Sequence, residues 1–256
     1  MARAAFFDLD KTILDTSSNV ALSGPFIEAG LMTRRTAIAS VLVQLPYLLA
    51  GADESRMEQM AEAMGRMGRG WNAAFLESTV EDALERTIEP VCYAQALQRI
   101  AYHKSIGDVV VIASASVEQV VRPIATMLGA DEVLASKAAV DDDGCFTGEV
   151  IHFNQAQGKA DACAQLARTR GWDLSQCSAY SDSVSDAPLL RLVGHPYAVN
   201  PDRALREMAQ REGWPTLTFS STVRVLPHRV PTPAKVAIPF VAGVAVGVAA
   251  CALARR

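Results

Sequence analysis

A chain of 256 residues with 28 acidic and 24 basic side chains carries a formal charge of −4, and its length suffices for one large domain with an insert or two smaller ones. That charge argues against a polyanion-binding protein, because nucleic acid is held by a basic field that is absent here. The five cysteines, Cys92, Cys145, Cys163, Cys177 and Cys251, show neither paired spacing nor a His at metal-finger distance, which predicts buried thiols in a reducing compartment.

The first predicted element is a buried strand from Ala4 that runs into Asp8-Leu9-Asp10-Lys11-Thr12. It starts too early to follow a charged leader and an apolar signal region, so the catalytic part is expected in the cytosol. From Asp15 to about Glu89 the pattern turns helical without convincing strands. Gly51-Ala52-Asp53 ends one helical stretch and opens the next, where Met57, Met60, Met64 and Met67 recur on one face. Such a stripe predicts packing surface or an adaptable roof over a pocket. Ala37 to Leu49 is apolar but broken by Gln44 and Pro46 and too short to span a bilayer, which predicts a helix buried in this insert. Arg34-Arg35, Arg66 and Arg69 are expected in solvent or reaching toward a substrate anion.

From Pro90 onward strands and helices alternate. Val109–Ala113 predicts a continuous buried strand ending at Ser114, followed by a helix over Val117–Leu128 and a hairpin about Asp141-Asp142-Asp143-Gly144. Three adjacent Asp lack the interleaved spacing of a calcium loop, so a solvated turn is expected. A helix over Lys159–Arg170, a strand at Ala179-Tyr180, a helix over Ala187–Val193 and a strand over Tyr197–Val199 complete an α/β core, with Thr216–Phe219 as an edge strand.

Beyond the core, Pro227, Pro231 and Pro233 with Arg224 predict an extended linker over residues 221–235. Val236 to Ala254 then carries no charge over 19 residues between Lys235 and Arg255-Arg256. At 1.5 Å per residue this reaches about 28 Å, the length of a membrane-crossing helix. A C-terminal apolar helix anchoring the protein to the membrane is therefore expected, and Gly243 and Gly247 offer a G-x-x-x-G face for a possible homodimer. The few flanking charges are too balanced to set its orientation.

Three segments carry the chemistry: Asp8 to Thr12, Ser114, and Asp182-Ser183-Val184-Ser185-Asp186. Residues at the carboxyl ends of strands in an open parallel sheet converge on one crevice, so these can meet. Four aspartates crowded together repel unless a cation sits among them, and hard oxygen ligands point to Mg²⁺ and a phosphate-ester substrate.

In that order Asp8-Leu9-Asp10-Lys11-Thr12, Ser114, Lys159 and Asp182 to Asp186 resemble the four motifs of the haloacid dehalogenase superfamily of phosphohydrolases. The helical insert after the first motif is similar to the branch containing phosphoserine phosphatase, as are Val193 to Asp202 and Gly213-Trp214-Pro215. The resemblance covers residues 4–219. It implies an α/β Rossmann-like parallel sheet, built from residues 1–14 and 90–220, with a helical cap over 15–89. It further implies a phosphomonoester hydrolase in which Asp8 is the nucleophile and Asp10 the acid and base. Ser114 and Lys159 then bind the phosphoryl oxygens, and Asp8, Asp10, Asp182 and Asp186 form the Mg²⁺ site. In that set the carbonyl of Asp10 joins Asp8 and Asp182 on the metal, and Asp186 holds its water or Lys159. Thr12 and Lys11 receive no catalytic role.

The expected substrate is a small phosphorylated metabolite. Phosphoserine phosphatases place an acid soon after the first motif to meet the substrate ammonium, whereas this chain reads Thr16-Ser17-Ser18-Asn19. The tail raises a lipid or headgroup phosphate as an alternative, and a non-catalytic scaffold on the same fold is a further one. A P-type ATPase shares an Asp-Lys-Thr segment but is disfavoured, because there the phosphorylated Asp directly precedes Lys, which here would be Asp10, and the chain lacks both several spans and a nucleotide domain.

Overall fold

The computed structural model of the chain describes residues 3–33 and 54–222. The predicted helix over 37–49, Arg34-Arg35, the side chains of Met57 and Met60, most of the linker and the apolar run 236–254 lie outside the described residues. Among the described residues no helix is long and apolar enough to cross a membrane.

Strand β1 (Ala4–Phe7) is followed by helices α1 (Ser18–Ala21), α2 (Ser23–Glu28), α3 (Glu54–Gly68) and α4 (Ala73–Ala83), which winds on through a π turn and a 3-10 turn to Val91. Then come α5 (Ala94–Ser105), β2 (Val109–Val117), α6 (Glu118–Met127), β3 (Glu132–Val140), β4 (Phe146–His152) and α7 (Ala156–Arg170). Strand β5 (Ser178–Ser181), α8 (Ala187–Leu192), β6 (His195–Val199), α9 (Arg203–Glu212) and β7 (Thr216–Leu217) end the described order.

The seven strands form one sheet in the order β4-β3-β2-β1-β5-β6-β7, parallel throughout except for β4. β1 is central and buried on both faces, which is why Ala4-Ala5-Phe6-Phe7 reads as a continuous apolar run. Its period of two sends Ala5 and Phe7 to one face and Ala4 and Phe6 to the other. On the first face Phe7 joins Ile112, Leu76, Val80 and Ile124; on the second Phe6 joins Cys163, Leu189 and Leu205. Each fully buried Phe contributes roughly 2–3 kcal/mol, so β1 is fixed from both sides. Phe7 also stacks on Tyr180 at 4.4 Å, and Tyr180 on Tyr197 at 4.7 Å. This aromatic row crosses three strands just below their carboxyl ends and locks the platform that carries Asp8 and Asp182.

Several expectations need correction. β2 continues four residues past Ala113, because Val117 still pairs with Ser136 of β3 after a register shift. Ser114 thus lies within the strand at an irregularity, two residues past the last β1 partner, Ile112. The edge strand β7 is only Thr216–Leu217. The hairpin turn is as expected: Asp141 Oδ1 accepts from the N–H groups of Asp143 and Cys145 at 3.1 and 2.8 Å, which explains the acidic run as turn chemistry.

The described part of the insert, expected as a helical cap over 15–89, also packs against the core. Leu76, Val80 and Ala83 of α4 are buried in the same core as Phe7 and Ile112. Three backbone hydrogen bonds join the α3–α4 connection to the hairpin, Gly70 N–H to Phe146, Phe146 N–H to Trp71 and Ala73 N–H to Gly144, each 2.9 Å. Gly65 of α3 rests directly on the backbone of Gly148, where a Cβ would stand 2.0 Å from the carbonyl oxygen. Gly148 itself has φ +92°, a conformation that only glycine adopts without strain.

Candidate active site

The chain leaves β1 for β2 on one side and returns to β5 on the other, so the crevice at the carboxyl end of β1 is the topological switch point of the sheet. Asp8 is the first residue there, tied by its N–H to the carbonyl of Tyr180 at 3.0 Å. Its Oδ1 accepts from Lys159 Nζ at 2.8 Å and its Oδ2 from Thr12 Oγ1 at 3.2 Å. Lys159 sits in the first turn of α7, completely buried, and spends its second contact on Asp186 Oδ2, also at 2.8 Å.

Asp10 turns its Oδ1 onto the N–H of Ser18 at 2.7 Å, so the start of α1 fixes one carboxyl oxygen and leaves the other for the cavity. Lys11 between them takes φ +60° and is exposed. Ser114 is 1% exposed; its carbonyl accepts from Asn154 Nδ2 at 3.0 Å and its Oγ from Ser116 N–H at 3.2 Å. Neither Ser114 nor Ser116 caps the following helix, whose N-cap is Val117. Ser116 Oγ instead meets Ser18 Oγ at 3.2 Å, linking the second motif to the loop that holds Asp10.

Asp182 follows β5, and its Oδ1 has Thr12 Oγ1 at 3.4 Å. Its loop is held by Asp202, the N-cap of α9: the N–H of Asp202 donates to the Asp182 carbonyl at 2.8 Å, and Asp202 Oδ2 accepts from Val184 N–H at 3.1 Å. Asp186 Oδ2 accepts a second bond from Ser181 Oγ at 2.7 Å, while Asp186 Oδ1 is buried with no partner. All six expected residues, Asp8, Asp10, Ser114, Lys159, Asp182 and Asp186, line one cavity of about 420 Å³.

The electrostatics follow from burial. Burial pushes the Asp8 carboxyl up to about 7, with Lys159 pulling it down and Asp186 pushing it up. Burial also raises Asp10 against the lowering bonds from Ser18, and raises Asp182, with Asp8 and Asp186 adding to the effect. For Lys159, burial alone favours the neutral amine, but Asp186 and Asp8 more than reverse it. Among the described lining residues Lys159 is the one buried ammonium beside the four carboxyls; Lys11 also lines the cavity and lowers Asp10 and Asp182, but it is exposed, so the buried cluster stays short of positive charge.

That shortage, together with the orphaned Asp186 Oδ1, fits a cation. Among the described residues no three Asp, Glu, His or Cys side chains form a ready-made ligand cluster. Asp186 Oδ2 and Asp10 Oδ1 are committed to Lys159 and Ser18. Asp8 likewise has Lys159 on Oδ1 and Thr12 on Oδ2; carboxylate, main-chain and water oxygens are the hard donors that suit Mg²⁺, which keeps several of its waters.

Thr12, Ser181, Asn154 and Asp202 were not singled out from sequence. Thr12 stands within the first motif and Ser181 directly before the last, but nothing in their spacing shows that their hydroxyls face carboxylates.

Residues 5–191 match the family of haloacid dehalogenase-like hydrolases. A protein of Streptomyces azureus named for inhibition of morphological differentiation is 44% identical over 98% of this chain and 91% of its own length. A probable phosphatase of Mycobacterium tuberculosis is 45% identical over 97% and 85%, and a phosphoserine phosphatase of the same organism is 30% identical over 86% and 71%. A solved structure of a Bordetella pertussis protein of unknown function superposes with a TM-score of 0.73 at 28% identity, covering 85% of this chain and 98% of that one. The chain belongs to the haloacid dehalogenase-like hydrolases.

Proposed function

We propose that this chain is a Mg²⁺-dependent phosphomonoester hydrolase working through an aspartyl-phosphate on Asp8, with a small phosphorylated metabolite as substrate. The observation that carries the reading is the pairing of a buried Asp8, clamped by Lys159 at 2.8 Å and Thr12 at 3.2 Å, with an Asp10 that keeps one oxygen free. An Asp8 oxygen bonds to phosphorus as the ester P–O bond breaks, and Asp10 gives its proton to the departing oxygen. Water then bonds to phosphorus and passes a proton to Asp10, and the bond from phosphorus to Asp8 breaks, releasing phosphate. The raised carboxyl of Asp10 suits the first of these proton transfers.

Ser114 and Lys159 face the phosphoryl oxygens and stabilise their charge. Asp8 and Asp182, with the carbonyl of Asp10, would hold Mg²⁺, and the open Asp186 Oδ1 would hold one of its waters. When bound, Mg²⁺ neutralises charge on the phosphoryl group. Thr12 aligns Asp8 with Asp182. The kinship with a phosphoserine phosphatase supports the reaction class; the uncharged Thr16 to Asn19 stretch argues against phosphoserine itself.

The test is a screen of phosphomonoesters with Mg²⁺, using Asp8→Asn as the blank. Turnover by wild type that vanishes in the variant supports the reading; equal rates in both refute it. The uncharged run 236–254 supports a membrane tether on this enzyme, and release of the full chain by an alkaline carbonate wash would refute that part.

A further inference from the structure

The cavity gathers its carboxylates where the strand ends reach it, while Ser17 and Asn19 of the insert and Lys137 of the hairpin add polar groups to its other walls. The bulky side chains that the insert and the hairpin bring to its wall include Phe26, Met64, Met67, Trp71, Phe146 and Val150. No described lining residue from the insert carries a charge, and from the hairpin only Lys137 does. Asp15 and Glu28, the acids nearest the first motif in sequence, do not line the cavity, and Glu28 instead lies 3.6 Å from Arg86 on the surface. A substrate ammonium group would therefore find no carboxylate among the described lining residues beyond those clustered at the strand ends. An apolar group would find a thioether and aromatic surface.

Resting on the phosphatase reading above, we infer that the leaving alcohol of the natural substrate carries an apolar body, an aryl group or a single short alkyl chain, in place of a zwitterionic serine. A volume of about 420 Å³ is at the small end for a ligand pocket, so one such group fits beside the phosphate. Van der Waals contact with Met64, Met67 and Phe146 discriminates by the length of the apolar group, since each buried methylene contributes about fourfold in binding.

Gly68 provides the handle. It lines the cavity near the end of α3, its backbone lies in a region open to any residue, and a Cβ there would meet Phe146 Cδ2 at 4.0 Å, ordinary contact. A larger side chain at 68 therefore occupies the chamber without straining the helix.

The experiment measures kcat/KM of the full chain with Mg²⁺ on ethyl, butyl, hexyl and octyl phosphates and on O-phosphoserine, with Gly68→Leu alongside. Wild type should gain about fourfold per methylene until the chamber is full, ending at least 100-fold above O-phosphoserine. Gly68→Leu should move the optimum to shorter chains and cut the octyl-to-ethyl ratio about tenfold. Ala63→Leu on the same helix replaces it should Gly68→Leu fail to fold. A single-chain lipid phosphate in vesicles separates the sources. Turnover of it above monomeric octyl phosphate assigns a membrane substrate, and the reverse order a dissolved one, both within the inferred class. A flat chain-length series, or O-phosphoserine as the better substrate, overturns the inference while leaving the phosphatase reading intact. No turnover of any ester would instead remove the phosphatase reading.

Discussion

Lys159→Met tests the electrostatic frame of the site. Met keeps the length and apolar volume of the side chain but removes an ammonium that is 1% exposed and bonded at 2.8 Å to both Asp8 and Asp186. Removing one partner of a buried ion pair costs about 3–5 kcal/mol, because the other charge is left uncompensated. Here two carboxylates lose the same partner, but protonation relieves part of the cost, since Asp8 already titrates near 7. A net loss of about 3–4 kcal/mol is expected, equivalent to a fall of roughly 10 °C in melting temperature for a chain of this size. Adding Asp186→Asn should restore more than about 1 kcal/mol of that loss, because the second change removes the orphaned charge. The assay is urea denaturation of the single and double variants in metal-free buffer, with hydrolysis measured in parallel. Loss of a donor to the phosphoryl oxygens should lower kcat roughly 100-fold or more. A Lys159→Met protein within about 1 kcal/mol of wild type would refute the claim that this lysine neutralises the carboxylate cluster.

Asp10→Asn preserves an oxygen for Ser18 N–H, so its melting temperature should stay within about 2 °C of wild type while hydrolysis falls roughly 100-fold to 10,000-fold; a cooperative loss of fold would show that Asp10 is chiefly structural. Gly65→Ala should destabilise by about 2 kcal/mol, because its Cβ would meet the immovable Gly148 carbonyl at 2.0 Å, whereas Gly68→Ala, with 4.0 Å of clearance, should be neutral or stabilising by thermal melt. Burial pushes the Cys92 thiol up to about 12 and also raises Cys163. At pH 8 only about one Cys92 in ten thousand is a thiolate, so neither residue should take iodoacetamide until urea is added, and rapid native labelling in a peptide map would contradict the burial. Chelation with EDTA should abolish turnover and Mg²⁺ restore it, while Ca²⁺ should inhibit, because its looser coordination misplaces the nucleophile; full activity in EDTA would exclude the cation.

Residues that act through type and position at strand ends were legible in the sequence. Asp8 directly follows β1 and Asp182 directly follows β5, Asp186 comes four residues later, and Ser114 follows the apolar run Val109–Ala113; the switch-point rule brings such positions together whatever their separation in the chain. Lys159 was not legible from spacing, since a lysine near a helix start is normally exposed; the order of the motifs identified it, and its burial between Asp8 and Asp186 explains why it is there. Thr12, Ser181, Asn154 and Asp202 escaped because they serve other polar groups, and side-chain direction in a loop has no periodicity to read. The insert was legible as helical, but the burial of its α4 face in the core was not. Leu76, Val80 and Ala83 show the helical period, yet that period does not say whether the apolar face meets the sheet or a second core. The Gly65–Gly148 contact is tertiary and left no trace in local sequence.

The most direct measurement of the central claim is to locate the phosphoryl group on the enzyme during turnover. Acid-quenched wild type, incubated with a hydrolysed phosphomonoester and Mg²⁺, is digested and its peptides mapped by mass spectrometry, with Asp8→Asn treated identically. A hydroxylamine-labile phosphate is expected on Asp8 in wild type and none in the variant. Phosphate on any other residue, or a phosphoenzyme that survives in Asp8→Asn, would contradict the claim.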